Sequence, residues 1–383
     1  MPENRPRIAV DISCLNPQPL TGVGYYTREL LGAFARTQPG FALRLYASGA
    51  RGPSAPVVTL GEQCGGVSFQ RLPTFLKTRL WTTVERPRMD RRTGAVDLAH
   101  GGFHLVPAAR GVPRLVTVFD LTGLRLAATH TAASQRIHRR YLEHAARRAD
   151  GFIAISGSCR DDVVELLGVD PARVRLVHGG VDPAPFAGVL DPAALAEVKA
   201  RHGIRGEYLV HLGTIEPRKN LPRLLEAYAR VRRANPGTPS LVLAGKRGWL
   251  CGAVFEAIDR LDLEDAVVET GYLSREDAVT LLRGAVGCTY PSLYEGFGLP
   301  VLEAMAAGVP VLTSNVSSLP EVAGEAAVYV APESVESIAE GLETLMGDTA
   351  GREARVAAGL ARAARFTWEA SAAALADAYR SFL

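Results

Sequence analysis

Residues Tyr290–Pro310 read YPSLYEGFGLPVLEAMAAGVP, and this stretch decides the fold. It is typical of a buried strand that ends in a glycine-containing loop and continues into a helix. Pro300 favours the first turn of that helix, and Gly308 favours its end. A helix that starts after a parallel strand directs free backbone N–H groups and its positive end at a ligand. The stretch therefore predicts an α/β fold with an anion site, such as a diphosphate site, at this helix.

The same strand and helix pattern extends in both directions from this stretch. Short β-branched runs alternate with amphipathic segments, which indicates βα units on parallel sheets. In the first half, the predicted strands are Ile8–Ile12, Ala42–Ala47, Val67–Leu72, Leu98–His100, Leu115–Phe119, Gly151–Ile155 and Val174–Val177. In the second half, they are Tyr208–Leu212, Ser240–Ala244, Val267–Glu269, Val286–Tyr290, Val309–Thr313 and Ala327–Val330. The pattern restarts after Asp182–Gly188, where two prolines and a glycine interrupt regular structure, so the sequence predicts two parallel-sheet domains.

Length and composition exclude several classes of protein. The chain has 383 residues, of which 47% are hydrophobic and 22% are charged, as in an average soluble globular protein of two domains. Its net charge is +3, with 24 Lys and Arg against 16 Asp and Glu in residues 1–195 and 19 against 24 in residues 196–383. Five scattered cysteines without a CxxC pair exclude a metal knuckle and a disulfide framework. With no signal-peptide pattern and no long apolar run, we expect a cytoplasmic protein.

Charged residues in two loops suit the chemistry of a sugar nucleotide. Glu295 and Glu303 provide carboxylates that can bind vicinal hydroxyl groups of a sugar or ribose; the alternative is a βα loop with a capping acid. Arg218 and Lys219 lie in the motif His211–Asn220 and could neutralise a departing diphosphate; the alternative is a solvated basic turn. Gly22 follows the first strand in a G-x-G sequence, which permits close approach of a phosphate but also occurs in plain turns.

The run from Glu295 to Glu303 resembles the E-x7-E signature of the retaining glycosyltransferases of family 4. The similarity covers the chain from Ile8 to Trp368. It implies the GT-B architecture, in which two Rossmann-like parallel-sheet domains face a central cleft. On this resemblance, residues 1–185 form an N-terminal acceptor-side domain, residues 186–365 form the nucleotide-sugar-binding domain, and residues 366–383 form a helix that crosses back to the first domain.

The resemblance also implies roles for individual residues. Glu295 would contact the donor sugar, and Glu303 would hold the ribose. The family lysine is present as Lys219, but Thr214 stands where the family has an arginine, so we expect Arg218 to supply that charge. The remaining residues that the resemblance assigns to donor binding are Gly22, Gly213, Leu273, Gly296, Phe297, Gly298 and Leu299.

The first domain departs from the family at Phe119, where many relatives carry a histidine. A phenyl ring cannot accept a proton, so the histidine role cannot be transferred to this position. Asp120 could orient or deprotonate an acceptor hydroxyl group, although a turn aspartate explains it equally well. His100 and His104 are possible substitutes for the missing histidine. The predicted catalytic residues are therefore Asp120, Glu295, Lys219 and His100.

These features together predict a retaining, metal-independent hexosyltransferase. The donor would be a nucleoside-diphosphate sugar acting as co-substrate, with GDP-mannose favoured and UDP-sugars possible, and no cofactor is expected. The acceptor would be a saccharide or lipid-linked hydroxyl group, as in bacterial surface-polysaccharide assembly. The basic segment Arg71–Arg92 could form an amphipathic helix that contacts anionic lipid at the inner membrane face; the alternative is a solvated helix over the core. Nucleic acid is not expected. Phe119 supports the alternative of a catalytically weak nucleotide-binding partner of another transferase.

Overall fold

The predicted alternation of strands and helices runs through the computed structural model of the chain, which describes residues 5–383. The strands are β1 (Arg7–Asp11), β2 (Ala42–Gly49), β3 (Val67–Arg71), β4 (Leu98–Gly101), β5 (Arg114–Val118), β6 (Gly151–Ala154), β7 (Val174–Leu176), β8 (Tyr208–Leu212), β9 (Ser240–Ala244), β10 (Val267–Gly271), β11 (Gly287–Tyr290), β12 (Val311–Ser314) and β13 (Ala327–Val330). The helices are α1 (Gly22–Thr37), α2 (Ala55–Gln63), α3 (Thr74–Thr83), α4 (Met89–Thr93), α5 (Thr122–Arg125), α6 (Ala132–Arg148), α7 (Gly157–Leu167), α8 (Pro192–Arg201), α9 (Leu221–Ala234), α10 (Gly252–Arg260), α11 (Arg275–Gly284), α12 (Leu299–Ala306), α13 (Leu319–Ala323), α14 (Val335–Gly347), α15 (Thr349–Ala363) and α16 (Trp368–Arg380). Every predicted strand is present, with ends shifted by a few residues at most.

The chain divides into two units. Unit 1 contains the residues up to Leu124, the segment Ala133–Gly180 and the C-terminal segment Phe366–Leu383. Unit 2 contains Val181–Arg365 together with the short segment Arg125–Ala132. Unit 2 therefore begins five residues before the predicted boundary, and it includes an eight-residue segment that the sequence had placed in the first domain.

Each unit is built on one parallel sheet. The strand order in unit 1 is β3-β2-β1-β4-β5-β6-β7, and in unit 2 it is β10-β9-β8-β11-β12-β13. In both sheets the chain starts at a central strand, proceeds to one edge and then returns to the other side of that strand. Ligands of such sheets bind at the carboxyl ends of the two strands where the order reverses. In unit 2 this position lies between β8 and β11.

Apolar helix faces cover the sheet of unit 2. Along α9, the side chains of Leu221, Leu224, Leu225 and Tyr228 recur at helical spacing, and all four are fully buried. They belong to one core cluster with Leu241 of β9 and with side chains of α14. This packing fixes where α9 begins, and with it the loop between β8 and α9.

The C-terminal helix is part of unit 1. Thr367 caps α16 by accepting a hydrogen bond from the Ala370 backbone N–H group, as its position before an alanine-rich run predicts. Tyr379 of α16 packs edge-to-face against Phe34 of α1, with ring centroids 5.6 Å apart. The chain end is therefore integrated into the core of unit 1.

The basic segment Arg71–Arg92 forms two helices. Helix α3 ends at Thr83, and α4 begins only at Met89. Pro87 lies in the connection, and a proline lacks the N–H group that a continuous helix would need there. Within the described residues, no helix combines the length and apolar character needed to cross a membrane.

Candidate active site

The order of strands in unit 2 brings two distant loops together. The loop after β8 carries Arg218 and Lys219, and the loop after β11 carries Glu295. Because β8 and β11 are neighbours in the sheet, both loops leave the same edge at the point where the strand order reverses. The anion site predicted after β11 and the basic turn predicted after β8 therefore lie together and form one site.

Lys219 and Glu295 form a buried ion pair at the centre of this site. The Lys219 Nζ donates to Glu295 Oε1 at 2.7 Å, and the two residues are only 4% and 5% exposed. Arg218 donates from Nη1 to the other Glu295 oxygen, and its Nε lies 2.7 Å from a Glu216 oxygen. Two cations and two carboxylates therefore balance in a small volume from which water is largely excluded.

The same ion pairs determine the ionisation of Glu295. Burial alone would raise the pKa of its carboxyl group, but the charges of Arg218 and Lys219 lower that pKa to about 2. Burial also lowers the pKa of Lys219, as does the neighbouring Arg218, whereas Glu295 and Glu216 oppose the shift. Glu295 is consequently an anion at neutral pH, and it holds both cations in place.

A histidine and a tyrosine form the layer next to Lys219. The His211 ring stacks on the Tyr290 ring, with centroids 5.4 Å apart, and the Tyr290 hydroxyl group accepts a hydrogen bond from Lys219. The His211 Nδ1–H donates to the Thr289 carbonyl oxygen at 2.9 Å, which leaves Nε2 as the unprotonated nitrogen. Burial lowers the pKa of His211 to about 4, so the ring is neutral. Sequence reasoning missed this support for Lys219.

Serines after β12 hold the loop that carries Glu295. The Ser317 hydroxyl group accepts a hydrogen bond from the Glu295 backbone N–H at 3.0 Å. The Ser318 hydroxyl group lies 2.9 Å from the Glu295 carbonyl oxygen and 2.7 Å from that of Phe297. These serines were also missed, although a serine pair at the end of a neighbouring parallel strand is a signal that could have identified them.

Helix α12 opens beside this loop as predicted. Gly298 precedes it with φ of +110°, a conformation that glycine adopts without strain. Leu299 begins the helix, Pro300 occupies its first turn, and the N-cap residue Gly298 makes no side-chain cap. Phe297 is 3% exposed and belongs to the packing of the loop. The backbone of Gly296–Leu299 therefore leads into a helix start whose N–H groups suit an anion.

The second signature carboxylate has its own cationic partner. Glu303, in α12, accepts a hydrogen bond from Arg275 Nη1 at 2.6 Å. Burial raises the pKa of Glu303, and Arg275 partly offsets this effect. Arg275, at the start of α11, was not among the predicted site residues. The structure thus places Glu295 and Glu303 in two separate ion-pair groups.

Two further predicted donor-binding residues follow strands β8 and β10 of unit 2, which lie on either side of β9 in the sheet. Gly213 follows β8 with φ of +148°, and a β-carbon built on it would lie 3.7 Å from Lys219 Nζ and 3.8 Å from His211 Nε2. Leu273 follows β10 after Gly271, whose φ is +70°. Gly213 therefore leaves open space next to the Lys219 ammonium group.

The predicted residues of unit 1 lie at the start of α1, in β4 and directly after β5. Gly22 is exposed at the first turn of α1, and a β-carbon built on it would meet no atom within 4 Å. Asp120 Oδ1 accepts hydrogen bonds from the backbone N–H and the hydroxyl group of Thr122, at 3.1 and 2.6 Å. Asp120 thus stabilises the start of α5, in line with the turn interpretation of this residue.

His100 has a packing role in this structure. Its Nδ1 lies 2.7 Å from the Tyr379 hydroxyl oxygen, and its Nε2 lies 2.8 Å from Thr117 Oγ1. The residue is 3% exposed, and burial lowers its pKa to about 4. With both ring nitrogens engaged inside unit 1, the geometry does not support the proton-transfer role suggested for His100 by the sequence.

His104 lies against the phenylalanine that replaces the family histidine. Its Nε2 accepts a hydrogen bond from the Phe119 backbone N–H at 2.9 Å, and the two ring centroids are 6.2 Å apart. Its Nδ1 has no hydrogen-bond partner within residues 5–383. Across the same residues, no group of three or more His, Cys, Asp or Glu side chains is arranged to hold a metal ion.

Comparison with known families matches both halves of the chain. Residues 20–185 match the family model described as Glycosyltransferase Family 4, and residues 197–362 match that of Glycosyl transferases group 1. The chain is 30% identical over 374 residues to O-antigen chain mannosyltransferase B of Escherichia coli. The match covers 94% of this chain and 96% of the relative. It is 34% identical over 228 residues to the serotype-specific mannosyltransferase WbdA of the same organism, covering 58% of this chain and 27% of WbdA.

A solved structure with the same fold is Anabaena Alr3699/HepE in complex with UDP-glucose. It superposes with a TM-score of 0.75 at 16% identity, covering 98% of this chain and 99% of that one. Together with the two Rossmann-like parallel sheets, this likeness confirms the predicted GT-B fold class.

Proposed function

The chain belongs to glycosyltransferase family 4 and is a glycosyltransferase that uses nucleotide sugars, and from this premise we propose that it transfers a mannosyl group from GDP-mannose. The acceptor is a hydroxyl group of a saccharide or of a lipid-linked saccharide. The transfer retains the anomeric configuration and needs no metal ion or cofactor. The observation that carries this proposal is the buried cluster of Lys219, Arg218 and Glu295 beside the start of α12.

The cluster supports departure of a diphosphate without a metal. Lys219 and Arg218 stabilise the negative charge that develops on the leaving group, and the N–H groups at the start of α12 add to this effect. Glu295 turns from the two cations to the hydroxyl groups of the donor sugar, because the diphosphate takes its place as their counter-ion. Glu303 binds the ribose hydroxyl groups of the donor. In the structure, its carboxylate accepts a hydrogen bond from Arg275, which the ribose hydroxyl groups would replace.

The names of the relatives support mannose as the transferred sugar. Both relatives described above are named mannosyltransferases, and one of them is similar over nearly the whole chain. The Anabaena structure was solved with UDP-glucose, so UDP-sugars remain the second choice of donor. The O-antigen relative also supports a role in the assembly of a bacterial surface polysaccharide.

The acceptor side belongs to unit 1. Asp120 orients the acceptor hydroxyl group, and the open space around Gly22 admits the reacting groups. Exposed arginines around α3 and α4 provide peripheral contact with anionic lipid, which would bring a lipid-linked acceptor to the enzyme. The alternative of a catalytically weak binding partner is not favoured, because the relatives are named as transferases.

Thermal unfolding with a panel of nucleoside diphosphates tests the donor proposal. GDP, UDP, ADP, CDP and dTDP are added separately, each with and without EDTA. A ligand at about 100 times its dissociation constant stabilises the folded state by roughly 2.7 kcal/mol, so the preferred nucleotide should raise the melting temperature most. We expect GDP to give the largest shift and EDTA to leave it unchanged. No shift with any nucleotide would remove the donor assignment, and a shift abolished by EDTA would remove metal independence.

A further inference from the structure

The chain turns sharply in the loop that follows β4 in unit 1. A β-carbon at Gly102 would collide with the Asp11 carbonyl oxygen of β1, so only a glycine fits there. His104 then takes φ of +41°, a left-handed conformation that is unfavourable for a histidine. Its backbone N–H donates to the Thr117 carbonyl oxygen of β5 at 2.8 Å. The loop therefore holds His104 in a strained conformation against the end of the neighbouring strand.

This loop lies at the ligand-binding edge of the sheet in unit 1. The strand order reverses between β1 and β4, and β5 lies on the other side of β4. Ligands of such sheets bind beyond the carboxyl ends of the strands at the reversal. His104 follows β4, and Asp120 follows β5. Burial lowers the pKa of His104, and the nearby Asp120 charge partly opposes this effect. The two side chains therefore belong to one candidate acceptor site.

The contact with Phe119 locates the hydrogen on the His104 ring. The Phe119 backbone N–H donates to Nε2 at 2.9 Å, so Nε2 carries no hydrogen. Burial lowers the pKa of His104 to about 4, so the ring is neutral at pH 7 and carries its N–H hydrogen on Nδ1. His104 is therefore a hydrogen-bond donor through Nδ1, and its Nε2 is not available as a general base.

The Nδ1–H group of His104 is buried, and the described part of the chain offers it no hydrogen-bond partner. The residue is only 1% exposed. A buried donor without a partner is unfavourable, because it has lost its hydrogen bonds to water. His100, in β4, differs from it because both of its ring nitrogens are engaged. The His104 donor thus calls for a partner that comes from outside the described chain.

A second buried histidine of unit 1 has the same unpartnered nitrogen at a different place. His144 Nδ1 forms no hydrogen bond within residues 5–383, and burial lowers the pKa of His144 to about 4. The charges of Glu85, Arg148 and Arg114 also act on this ring. Because Arg114 begins β5, His144 lies near the amino end of that strand, opposite the ligand-binding edge. His144 therefore provides a matched control for His104.

We propose that the His104 Nδ1–H group donates a hydrogen bond to a hydroxyl oxygen of the acceptor saccharide and so positions the acceptor beside Asp120. A sugar hydroxyl group both donates and accepts hydrogen bonds, so a saccharide can satisfy the donor at His104 and the oxygens of a carboxylate. The Asp120 charge disfavours an anion, such as a phosphate, as the partner of this donor. The inference rests on the acceptor role proposed above for unit 1 and assigns an acceptor-binding residue to it.

Two amide variants of His104 separate the functions of its two ring nitrogens. In His104→Gln, the side-chain oxygen can occupy the position of Nε2 and accept from the Phe119 N–H, but the donor at Nδ1 is lost. In His104→Asn, the side-chain N–H lies at the position of Nδ1, and asparagine tolerates the positive φ. Only the contact with Phe119 is then lost. A role in acceptor binding and a role in packing therefore predict opposite effects of the two variants.

Acceptor kinetics at saturating GDP-mannose distinguish the two variants. Methyl α-glycosides of mannose, glucose, galactose and N-acetylglucosamine are tested as acceptors, and the best one is used for every protein. His104→Gln should raise the KM for the acceptor about 10-fold with little change in kcat, because one hydrogen bond to the acceptor is lost. His104→Asn and the control His144→Gln should keep a KM close to that of the wild type. An unchanged KM in His104→Gln, or an equal rise in both His104 variants, would overturn the inference.

Nuclear magnetic resonance of the 15N-labelled histidines tests the ring directly and needs no turnover. At pH 7, His104 should carry hydrogen on Nδ1 and none on Nε2, and the spectrum of His104→Gln identifies its signals. Hydrogen on Nε2 instead would overturn the inference whatever the kinetics. At least one of the methyl glycosides should shift the Nδ1–H resonance when it is added. No shift with any of them would also overturn the inference.

The nucleotide-dependent melting shift keeps this test separate from the proposed donor chemistry. His104→Gln should keep the full GDP-induced shift, because His104 lies outside the cluster of Lys219, Arg218 and Glu295. A wild-type protein that shows the shift, together with an unchanged acceptor KM in His104→Gln, would overturn the His104 inference alone. A wild-type protein whose Nδ1–H resonance responds to a glycoside, but whose melting temperature responds to no nucleotide, would overturn the donor chemistry alone.

Discussion

Two buried side chains, Lys219 and Glu295, account for the electrostatics of the candidate site. They are 76 residues apart in sequence, and each satisfies the charge of the other. A buried ion pair of this kind is costly to break from one side, because the remaining charge stays buried without a partner. Substitutions at these two residues should therefore affect stability and ligand binding in different proportions.

Replacing Lys219 should weaken nucleotide binding. In Lys219→Ala, the diphosphate loses a charge-assisted hydrogen bond, which corresponds to an affinity about 10 to 100 times lower. Titration calorimetry with GDP measures the change. Lys199→Ala is a suitable control, because Lys199 is in the same unit and donates a hydrogen bond to the Gly206 carbonyl oxygen at an exposed position. Unchanged GDP affinity in a folded Lys219→Ala protein would place the diphosphate elsewhere.

Replacing Glu295 should change stability in acid. The pKa of Glu295 is about 2 in the folded protein against an ordinary value of 4.5. Its contribution is therefore fully present above pH 4.5 and is lost as the pH falls toward 2. Glu295→Gln leaves two buried cations with less compensation and should cost about 3 to 5 kcal/mol of unfolding free energy at neutral pH.

Urea unfolding at several pH values checks the Glu295 prediction. The difference between the wild type and Glu295→Gln should shrink as the pH decreases from 4.5 to 2. Glu197→Gln removes an exposed ion pair with Arg201 and should cost at most about 1 kcal/mol. A constant difference at all pH values would mean that Glu295 is not an ionised partner of the two cations.

At the scale of elements, the entrance of α12 depends on backbone conformation. Gly298 has φ of +110°, and a β-carbon built on it would lie 3.0 Å from Leu319 Cδ2. The entrance of α1 has no such constraint at Gly22, where a β-carbon would occupy open space. Gly22 and Gly298, which were both predicted to bind the donor, are therefore glycines for different physical reasons.

Alanine substitution separates these two reasons. Gly298→Ala should destabilise the protein by about 1 to 2 kcal/mol, because the residue must keep a left-handed conformation. Gly22→Ala should leave the melting temperature unchanged or slightly higher and reduce the rate of sugar transfer, since its methyl group fills the approach space. Calorimetric melting and a transfer assay measure both effects. A loss of stability in Gly22→Ala without a loss of transfer would assign this glycine to folding.

At the scale of the whole molecule, buried neutral histidines are distributed unequally. Burial lowers the pKa of His100, His104 and His144 in unit 1 and of His211 in unit 2, each to about 4 from an ordinary value of 6.5. Between these values, the unfolded chain binds protons that the folded chain does not. The stability of a unit therefore falls with decreasing pH, in proportion to the number of such groups that it contains.

We expect unit 1 to lose stability more steeply than unit 2 between pH 6.5 and 4. Hydrogen exchange followed by mass spectrometry, with exchange times corrected for intrinsic rates at each pH, resolves the two units by peptide. Protection should decrease first in β4, β5 and α6. In His144→Gln, the pH dependence of unit 1 should be shallower than in the wild type, because one proton-binding group is removed. Equal slopes in the two units would contradict this distribution of buried histidines.

Much of the local architecture follows from the sequence alone. Strand positions come from apolar, β-branched runs, and helix ends come from residues such as Pro300 and Thr367, whose preferences act over a few neighbouring residues. The type of site at α12 also follows, because a strand, a loop and a helix start are adjacent in the chain. The break in the basic segment at Pro87 was equally local and could have been predicted, but the charge pattern suggested one continuous helix.

The sequence by itself determined the α/β class, the repeated parallel-sheet pattern and the residue types at the candidate site. Only the tertiary structure decided which of these residues meet. The pairing of Lys219 with Glu295 depends on β8 and β11 being neighbours in the sheet, and the engagement of His100 depends on Tyr379, 279 residues away. Local preferences act over a few residues, whereas these contacts depend on strand order and on the burial of side chains that are distant in sequence.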